Sequence, residues 1–420
     1  MTWRQLLTIV VVLALPALPA TSRAETAAAA ATAAGTDFGA EARTLYRVGA
    51  CGGSDAIPAR FSTRAIDHHC HRMARRYDSY RAHWVDRARD FIRAIVPTGA
   101  PQVVVYPFGG GDLSSALTVF PDATEITTLS LEAAGDVRAI DTIDAGRLRK
   151  ELDVIAKDVN RLYRAAHSTT KSLQTVSHGQ LPGTIVFALA ALVVHGQQPV
   201  SLRYFTIEAD GSLRYLTGAE LDAAVAEVAA RAEADRAGTK KARRKRAAHY
   251  WREQESVFAN VEITFVPVDQ PTATPRVYRH IVANLDDEHL GADDRVLVHL
   301  AAKGKVSTMT KAASFLLWFD DFSKIRTYLL DHMAFMISDA SGIAPADATA
   351  AGFEQIPYGS FKGPYFTKGD RKHVHRQFEK LWKDSPRRKL PFRFGYPDST
   401  KKGGHLMITQ PASCAGRVPC

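Results

Sequence analysis

The sequence predicts an α/β fold with a mixed sheet, built on a Rossmann-like strand, glycine loop, helix and strand. The first observation is a β-branched run at 103–106, which leads into three consecutive glycines at 109–111. The second is another strand-like run that begins at residue 125 and ends at Glu132. The third is a series of paired apolar runs separated by turn residues, which indicates antiparallel hairpins with flanking helices around this core.

The glycine loop is a candidate ligand site. Gly109, Gly110 and Gly111 allow positive φ and the close approach of a ligand to the backbone. Asp112 can cap the following helix, and helix N-termini attract anions. Glu132 lies about twenty residues further on, where nucleotide-binding folds keep an acid for ribose hydroxyls. The same residues also fit a tight turn, with Asp112 as a plain N-cap and Glu132 as a solvated strand end.

The first 24 residues have the organisation of a secretory signal peptide. Arg4 precedes an apolar core from Leu6 to Leu18, and small residues near Ala24 fit a cleavage site. This core is shorter than the roughly 20 residues that span a bilayer. We therefore expect an exported protein, periplasmic or extracellular, with no transmembrane segment in the mature chain. Residues 25–36 are rich in Ala and Thr and are expected to form a linker.

Residues 37–420 are predicted to form a single large α/β domain. Its parts are a long N-terminal helix at about 63–95, a core at 100–345 and a basic C-terminal region at 346–420. The helix is predicted because apolar residues recur every three or four positions along it. We expect its aromatic residues to pack in the core and its arginines, including Arg75, Arg76 and Arg87, to form a solvated face.

Other elements follow from the same patterns of apolar residues and turns. Predicted helices lie at 148–162, 185–194 and 219–237, and 287–343 is expected to be largely helical, with apolar stripes at Val306–Leu317 and Phe322–Ile337. Predicted hairpins join 202–208 to 212–216, 261–268 to 277–285, and Leu390–Tyr396 to His405–Thr409.

Four cysteines in an exported chain favour disulfides. The simplest of the three possible connectivities pairs Cys51 with Cys70 and Cys414 with Cys420. The run Asp67–His71 offers a metal site as an alternative, but it lacks the usual C-x-x-C or H-x-x-x-H spacing. We therefore predict disulfides and no metal.

Positive charge is concentrated near the C-terminus. The formal net charge is +10, and residues 362–402 carry thirteen Lys and Arg against four Asp and Glu. Arg387, Arg388 and Lys389 are candidates for contact with an anionic surface. The basic run at 240–246 is typical of a solvated, mobile segment or of a contact with an anionic surface. The expected partner is an anionic ligand or the cell envelope, and predicted export argues against nucleic acid.

Several separated motifs resemble a family of exported bacterial proteins of unknown function. They are Tyr-Pro-Phe-x-Gly-x-Asp at 106–112, Phe-Pro-Asp-Ala at 120–123, Leu131-Glu132, Lys-Ala-Ala-Ser-Phe-Leu-Leu at 311–317, Phe-Ser-x-Ile-Arg at 322–326 and Asp-x-Ser-Gly-Ile at 339–343. The chain departs from the family pattern at Gly111, Trp318 and Ala344. The resemblance implies export and one shared fold, and it supplies no catalytic residue. The element order is also similar to that of a methyltransferase-like sheet, which is an analogy of fold alone.

Two classes of function remain open. One is a binding protein whose Gly109–Asp112 loop and basic C-terminal region meet an anionic ligand or surface. The other is an exported hydrolase in which Asp112 and Glu132 form a carboxylate pair, assisted by one of three aspartates, Asp320, Asp321 or Asp339. A degenerate methyltransferase-like fold without its cofactor is a variant of the second class. The sequence contains no G-x-S-x-G, H-E-x-x-H or G-x-x-x-x-G-K motif, and we favour binding, with the cofactor unassigned.

Overall fold

The structure is a computed structural model that describes residues 35–165, 180–234, 253–254, 256–311, 313–361, 371–394 and 404–420. Residues from Gly35 onward form one compact unit. The predicted signal peptide, residues 25–34 of the predicted linker and the basic run at 240–246 lie outside the described residues. The end of the predicted linker contacts the domain, since the Thr36 amide donates to the carbonyl of Leu216.

Ten strands are present in the described part of the chain. They are β1 Val103–Tyr106, β2 Glu125–Ser130, β3 Gln197–Ile207, β4 Leu213–Tyr215, β5 Asn260–Pro267, β6 Arg276–Val282, β7 Val306–Thr310, β8 Met333–Ser338, β9 Phe353–Gly359 and β10 His405–Pro411. They form one sheet in the order β4-β3-β5-β6-β2-β1-β7-β8-β10-β9. The five strands from β6 to β8 are parallel and the outer pairs antiparallel. The predicted α/β fold with a mixed sheet is confirmed.

Helices cover both faces of this sheet. They are α1 Gly39–Val48, α2 Thr63–Tyr80, α3 Asp86–Arg93, α4 Leu113–Val119, α5 Ala139–Thr142, α6 Ala145–Ala165, α7 Gly183–Val194, α8 Gly218–Ala234, α9 Asp287–Ala292, α10 Arg295–Ala301, α11 Ser323–His332, α12 Pro345–Ala350 and α13 Lys372–Asp384. Val104 and Val105 are neighbours in β1 and pack into different apolar clusters, because successive side chains of a strand point to opposite faces. Each face of the central sheet is therefore buried.

The central unit has the predicted arrangement. β1 and β2 pair in parallel, from Val103 opposite Glu125 to Tyr106 opposite Thr128. The helix α4 begins directly after the glycine loop, and Asp112 is its N-cap, with its carboxylate accepting from the Ser115 amide.

The order of the strands creates a switch point beside β1. β2 lies on one side of β1 and β7 lies on the other, so the connections that leave β1 and β7 diverge at their carboxyl ends. In open α/β sheets, ligands bind in the crevice that opens at such a point. The residues that follow β1 and β7 are therefore the first place to look for a site.

The predicted helix at 63–95 is two helices joined by a π-helical turn at Arg81–Val85. Its aromatic residues are buried as expected, and Tyr80 stacks on Trp84 with ring centroids 5.4 Å apart. A π turn inserts a residue into the helix and changes the side-chain direction beyond it, and such turns are frequent at functional sites.

The prediction that 287–343 is largely helical is wrong at two segments. β7 occupies the first half of the Val306–Leu317 stripe, and β8 occupies the end of the Phe322–Ile337 stripe. β8 is a nearly continuous apolar run, and in β7 the apolar residues Val306 and Met309 are three positions apart, so both patterns also fit a buried helix. The helical part is limited to α9, α10, α11 and short 3₁₀ segments, including Ala313–Trp318.

The prediction of a third hairpin is also wrong. Residues 390–394 of its first arm form no strand, and β10 instead pairs antiparallel with β8 on one edge and β9 on the other. Pro391 removes a backbone donor from that arm, which weakens it as a strand. His405 N–H still donates to Phe394 O, so the first arm lies next to the start of β10.

The remaining predicted elements are present. The hairpins β3-β4 and β5-β6 form, and the predicted helices correspond to α6, α7 and α8, although residues 235–237 of the last lie outside the described part. Among the described helices, none is long and apolar enough to cross a membrane.

Both predicted disulfides are present, Cys51 with Cys70 and Cys414 with Cys420. Cys70 is therefore not a metal ligand, and the neighbouring His69 donates from Nε2 to the Gly49 carbonyl at 2.9 Å. Within the described ranges no group of three or more His, Cys, Asp and Glu side chains could hold a metal ion.

Candidate functional site

A buried ion pair occupies the switch point between β1 and β7. Lys311 directly follows β7, and its Nζ donates to Asp112 Oδ2 at 3.1 Å and to Ser115 Oγ at 2.8 Å. Tyr106, at the end of β1, donates its hydroxyl to the same carboxylate oxygen at 3.2 Å. Lys311 is 2% exposed and Asp112 is 3% exposed. The carboxylate thus caps α4 and neutralises a lysine that has almost no access to water.

Hydroxyl groups continue this polar cluster toward β8. Ser314 Oγ lies 2.7 Å from Ser341 Oγ and 3.4 Å from Asp339 Oδ1, which also accepts from the Ser341 amide at 2.9 Å. The Ala340 amide donates to His405 Nδ1 at 3.0 Å, so this ring nitrogen carries no proton. We call the combined set the switch-point cluster: Tyr106, Asp112, Ser115, Lys311, Ser314, Asp339, Ser341 and His405.

Tyr106 connects the two halves of the switch-point cluster. Burial raises the pKa of its hydroxyl well above the usual value, and the charges of Asp112 and Asp339 raise it further. The backbone also joins the two halves, since the Asp339 amide donates to the carbonyl of Thr310, directly before Lys311, at 3.3 Å. The residues that carry the family resemblance at 106–112, 311–317 and 339–343 meet here, although long stretches of sequence separate them.

The glycine loop folds back on the end of β1. Gly109, Gly110 and Gly111 are all buried, the Gly109 amide donates to Tyr106 O, and the Asp112 amide donates to Gly109 O. A Cβ on Gly109 would lie 2.8 Å from the Tyr106 ring and backbone. Packing therefore requires glycine at position 109.

Glu132 lies two residues beyond β2 and away from the ion pair. Its backbone carbonyl accepts from His280 Nε2 at 2.7 Å, and its amide donates to Ser130 Oγ at 3.2 Å. One carboxylate oxygen is buried without a hydrogen-bond partner in the described part of the chain. Across the described residues no hydrogen bond or ion pair joins Glu132 to Asp112, the two proposed members of a catalytic pair.

The other predicted aspartates differ in their surroundings. Asp339 is fully buried within the switch-point cluster. Asp320 and Asp321 are exposed on a short 3₁₀ turn at the surface. Of the candidate carboxylates, Asp112 and Asp339 thus both belong to the switch-point cluster.

A groove at the surface lies between α2 and α6. One cavity of about 390 Å³ adjoins a second of about 280 Å³, and Arg76 and Asn160 line both. Residues spaced three and four apart on each helix face the groove, because such positions share one side of a helix. We call it the arginine groove, and its lining is Arg72, Met73, Arg75, Arg76, Ser79, Tyr80, His83, Trp84, Asp153, Ala156, Lys157, Asn160, Tyr163 and Arg393.

The arginine groove carries an excess of positive charge. Its cationic side chains are Arg72, Arg75, Arg76, Lys157 and Arg393, and its carboxylate is Asp153. Asp153 is already occupied, since it accepts from Arg72 at 2.6 Å. Within the described ranges the other four cations form no ion pair. Cationic side chains that line a groove in the low-dielectric protein concentrate positive potential there and attract anions.

Three stacked aromatic rings form the inner end of the arginine groove. Tyr80 lies between Tyr163 and Trp84, with centroid distances of 4.2 and 5.4 Å. The Trp84 ring is 5.2 Å from Lys311 Nζ, so these rings separate the groove from the switch-point cluster. Tyr163 Oη and Asn160 Oδ1 are buried and have no hydrogen-bond partner in the described part. Such groups are costly unless a ligand or water satisfies them.

Sequence reasoning missed the arginine groove. Arg75 and Arg76 are exposed, as expected for a solvated face, yet they line a depression rather than open surface. The available signal was the spacing of Arg72, Arg75 and Arg76 on one face of α2. The second wall, on α6, depends on the packing of two helices, which their sequences do not specify.

The basic C-terminal region is described in part. Residues 362–370 and 395–403 lie outside the described residues. Arg387 and Lys389 are exposed, and Arg388 is half-buried with its guanidinium 5.8 Å from the centroid of the Tyr358 ring. These three cations therefore lie on the surface.

Comparison of the chain with protein-family models, curated proteins and solved structures gave no match.

Proposed function

We propose that the protein is an exported binding protein that takes an anionic ligand into the arginine groove. The observation that carries the proposal is the charge of that groove, where the one lining carboxylate already pairs with Arg72. Arg75, Arg76 and Lys157 remain without a counterion among the described residues. Hydrogen bonds between such cations and an anion are about twice as strong as neutral ones.

Export is part of the proposal. The first 24 residues have the pattern of a signal peptide, and the two disulfides suit an oxidising compartment. The family that the motifs at 106–112 and 311–317 resemble is exported as well. The ligand would then be an anion met outside the cytoplasm.

The glycine loop supports the site indirectly in this proposal. Its glycines are buried, and Asp112 holds Lys311 beneath the Trp84 ring that closes the arginine groove. The basic C-terminal region contributes a second set of exposed cations, Arg387 and Lys389, which would attract the same anion from a distance.

Calorimetric titration with tripolyphosphate tests the proposal. We compare the mature protein with the triple variant Arg75→Gln/Arg76→Gln/Lys157→Gln at 20 mM and 150 mM NaCl. Loss of three charged contacts should weaken binding at least about tenfold, which corresponds to roughly 1.4 kcal/mol. Binding to the unaltered protein should weaken with added salt, since the Debye length falls to about 8 Å at 0.15 M.

The matched control is Lys383→Gln/Arg387→Gln/Lys389→Gln, which removes the same charge from exposed positions of the C-terminal surface. It should retain most of the affinity, and both triple variants should keep the urea midpoint because exposed charges contribute little to folding. A groove variant that binds as tightly as the unaltered protein would overturn the proposal, as would the absence of binding at millimolar tripolyphosphate. If only the C-terminal variant lost binding, the binding site would lie on the C-terminal surface and not in the arginine groove.

A further inference from the structure

A separate cavity of about 380 Å³ lies near the amino ends of β1 and β2. Arg89 and Arg93 of α3 form one wall, and the segments 96–102 and 118–123 form the rest. The arginine groove and this cavity share no lining residue. One water molecule occupies about 30 Å³ in the liquid, so the cavity has room for about a dozen non-hydrogen atoms of similar size.

Arg89 is half-buried beside this cavity without a counterion. Its guanidinium donates to His195 Nδ1 at 2.8 Å, and its Nε is buried with no partner among the described residues. No carboxylate of the described chain lies within ion-pair distance of it. A partly buried guanidinium without an opposite charge beside it is unfavourable, and a bound anion would relieve that cost.

His195 supplies no negative charge and stays neutral. An arginine can only donate, so Nδ1 accepts, and Nε2 therefore carries the proton that goes to the Ser114 carbonyl at 3.1 Å. Burial, followed by the charge of Arg89, lowers the pKa of His195 to about 3. The guanidinium and the imidazole thus leave one uncompensated positive charge at the wall of the cavity.

Apolar side chains line part of the rest of the cavity. Val96, Pro97 and Ala100, which are half-buried, contribute hydrocarbon surface, and the hydroxyl of Thr118 is occupied by the Ser114 carbonyl at 2.8 Å. Asp122 also lines the cavity, so the two arginines leave a net charge of one. Small-molecule sites commonly combine an apolar wall with a few polar groups that fix orientation.

We propose that this cavity binds a small organic carboxylate with an apolar body, and that the carboxylate pairs with Arg89. A planar guanidinium can hold a carboxylate through two parallel hydrogen bonds. The hydrocarbon part of the ligand would lie against Val96 and Pro97. This site is independent of the function proposed for the arginine groove.

Calorimetry with hexanoate, 1-hexanol and inorganic phosphate as probes tests this site. Hexanoate should bind with a dissociation constant of about a millimolar or tighter, as expected for a ligand of this size. The alcohol lacks the negative charge and phosphate lacks the apolar body, so each should bind at least about tenfold more weakly than hexanoate. No binding of hexanoate, or equal binding of phosphate, would overturn the proposal.

Two variants locate the site, and a third serves as the control. Arg89→Gln removes the charge and should weaken hexanoate binding at least about tenfold, whereas Arg87→Gln, at an exposed position of the same helix outside the cavity lining, should change it less than about threefold. If Arg89→Gln does not fold, Ala100→Leu decides, since it fills part of the cavity and leaves Arg89 in place. Unchanged hexanoate affinity in Ala100→Leu would place the ligand elsewhere. Tripolyphosphate binding in the arginine groove should be unaffected by Ala100→Leu, which separates the two proposals.

Discussion

Lys311 Nζ and Asp112 Oδ2 lie 3.1 Å apart and form an ion pair that is almost completely buried, although the residues are 199 positions apart in sequence. The pair joins the residue after β7 to the N-cap of α4, and so fastens the two loops that leave the switch point. Ser115 and Tyr106 provide further hydrogen bonds to the pair. Because both charges are shielded from water, each depends on the other.

Lys311→Met should therefore destabilise the protein strongly. Removing one member of a buried pair leaves an uncompensated charge, which costs about 3–5 kcal/mol in the free energy of unfolding. Urea unfolding followed by circular dichroism measures the change. The matched control is Lys380→Met, which breaks an exposed pair with Asp384 on α13 and should leave the urea midpoint unchanged. Equal stability of Lys311→Met and the unaltered protein would show that the pair contributes nothing.

Gly109→Ala should also lower stability, for a steric reason. The new Cβ would meet the Tyr106 ring and carbonyl at 2.8 Å, and such overpacking costs about 1–3 kcal/mol in the free energy of unfolding. Gly291→Ala in α9 is the control, because the atom nearest to its Cβ is the flexible Lys324 side chain at 3.5 Å. That control should be neutral or stabilising by up to about 1 kcal/mol. The prediction fails if both variants unfold at the same urea concentration.

His280 should make the protein less stable as the pH falls. Burial lowers its pKa to about 4, although its hydrogen bond to the Glu132 carbonyl acts in the opposite direction. The His280 side chain takes up a proton near pH 6.5 in the unfolded chain, but only near pH 4 in the folded protein. The stability that follows from this difference is therefore complete above pH 6.5 and is lost as the pH falls toward 4. The difference of about 2.5 between the pKa values in the unfolded and folded states corresponds to about 3 kcal/mol in the free energy of unfolding.

The test is the slope of unfolding free energy against pH. His280→Gln should reduce that slope by about 1.4 kcal/mol per pH unit between pH 6 and 4.5, whatever it does to stability at neutral pH. Urea titrations at four pH values in that window are sufficient. His195 and His299 have lowered pKa values as well, so the variant should retain part of the slope. Parallel lines for the two proteins would contradict the assignment.

Local signals were enough to predict the central unit. The β-branched run at 103–106 and the glycines after it specify a strand followed by a tight loop. Aspartate is one of the preferred N-cap residues, so Asp112 could be predicted to cap the helix. The disulfide pairing could also be predicted from the sequence, since the two cysteines of each pair lie close together in it. These predictions rest on residues within about thirty positions of one another.

Long-range contacts explain what the sequence did not reveal. β8 is a nearly continuous apolar run and β7 has apolar residues at 306 and 309, so neither shows the alternation that would distinguish a strand from a helix. The partner of Asp112 could not be chosen among the lysines without knowing that β7 lies beside β1. The same limit applies to the arginine groove, whose second wall on α6 is set by helix packing.

The position of β10 determines how the sheet can be assembled. Because β10 lies between β8 and β9 and pairs with both, β9 has no neighbour in the sheet until residues 405–411 are present. During synthesis, when earlier segments are available first, β8 would expose an unpaired edge that is open to other chains. A chain shortened before His405 should for this reason aggregate rather than persist as a smaller folded protein. Under the export proposed above, the native sheet would be complete only after the C-terminal strand had emerged from the membrane.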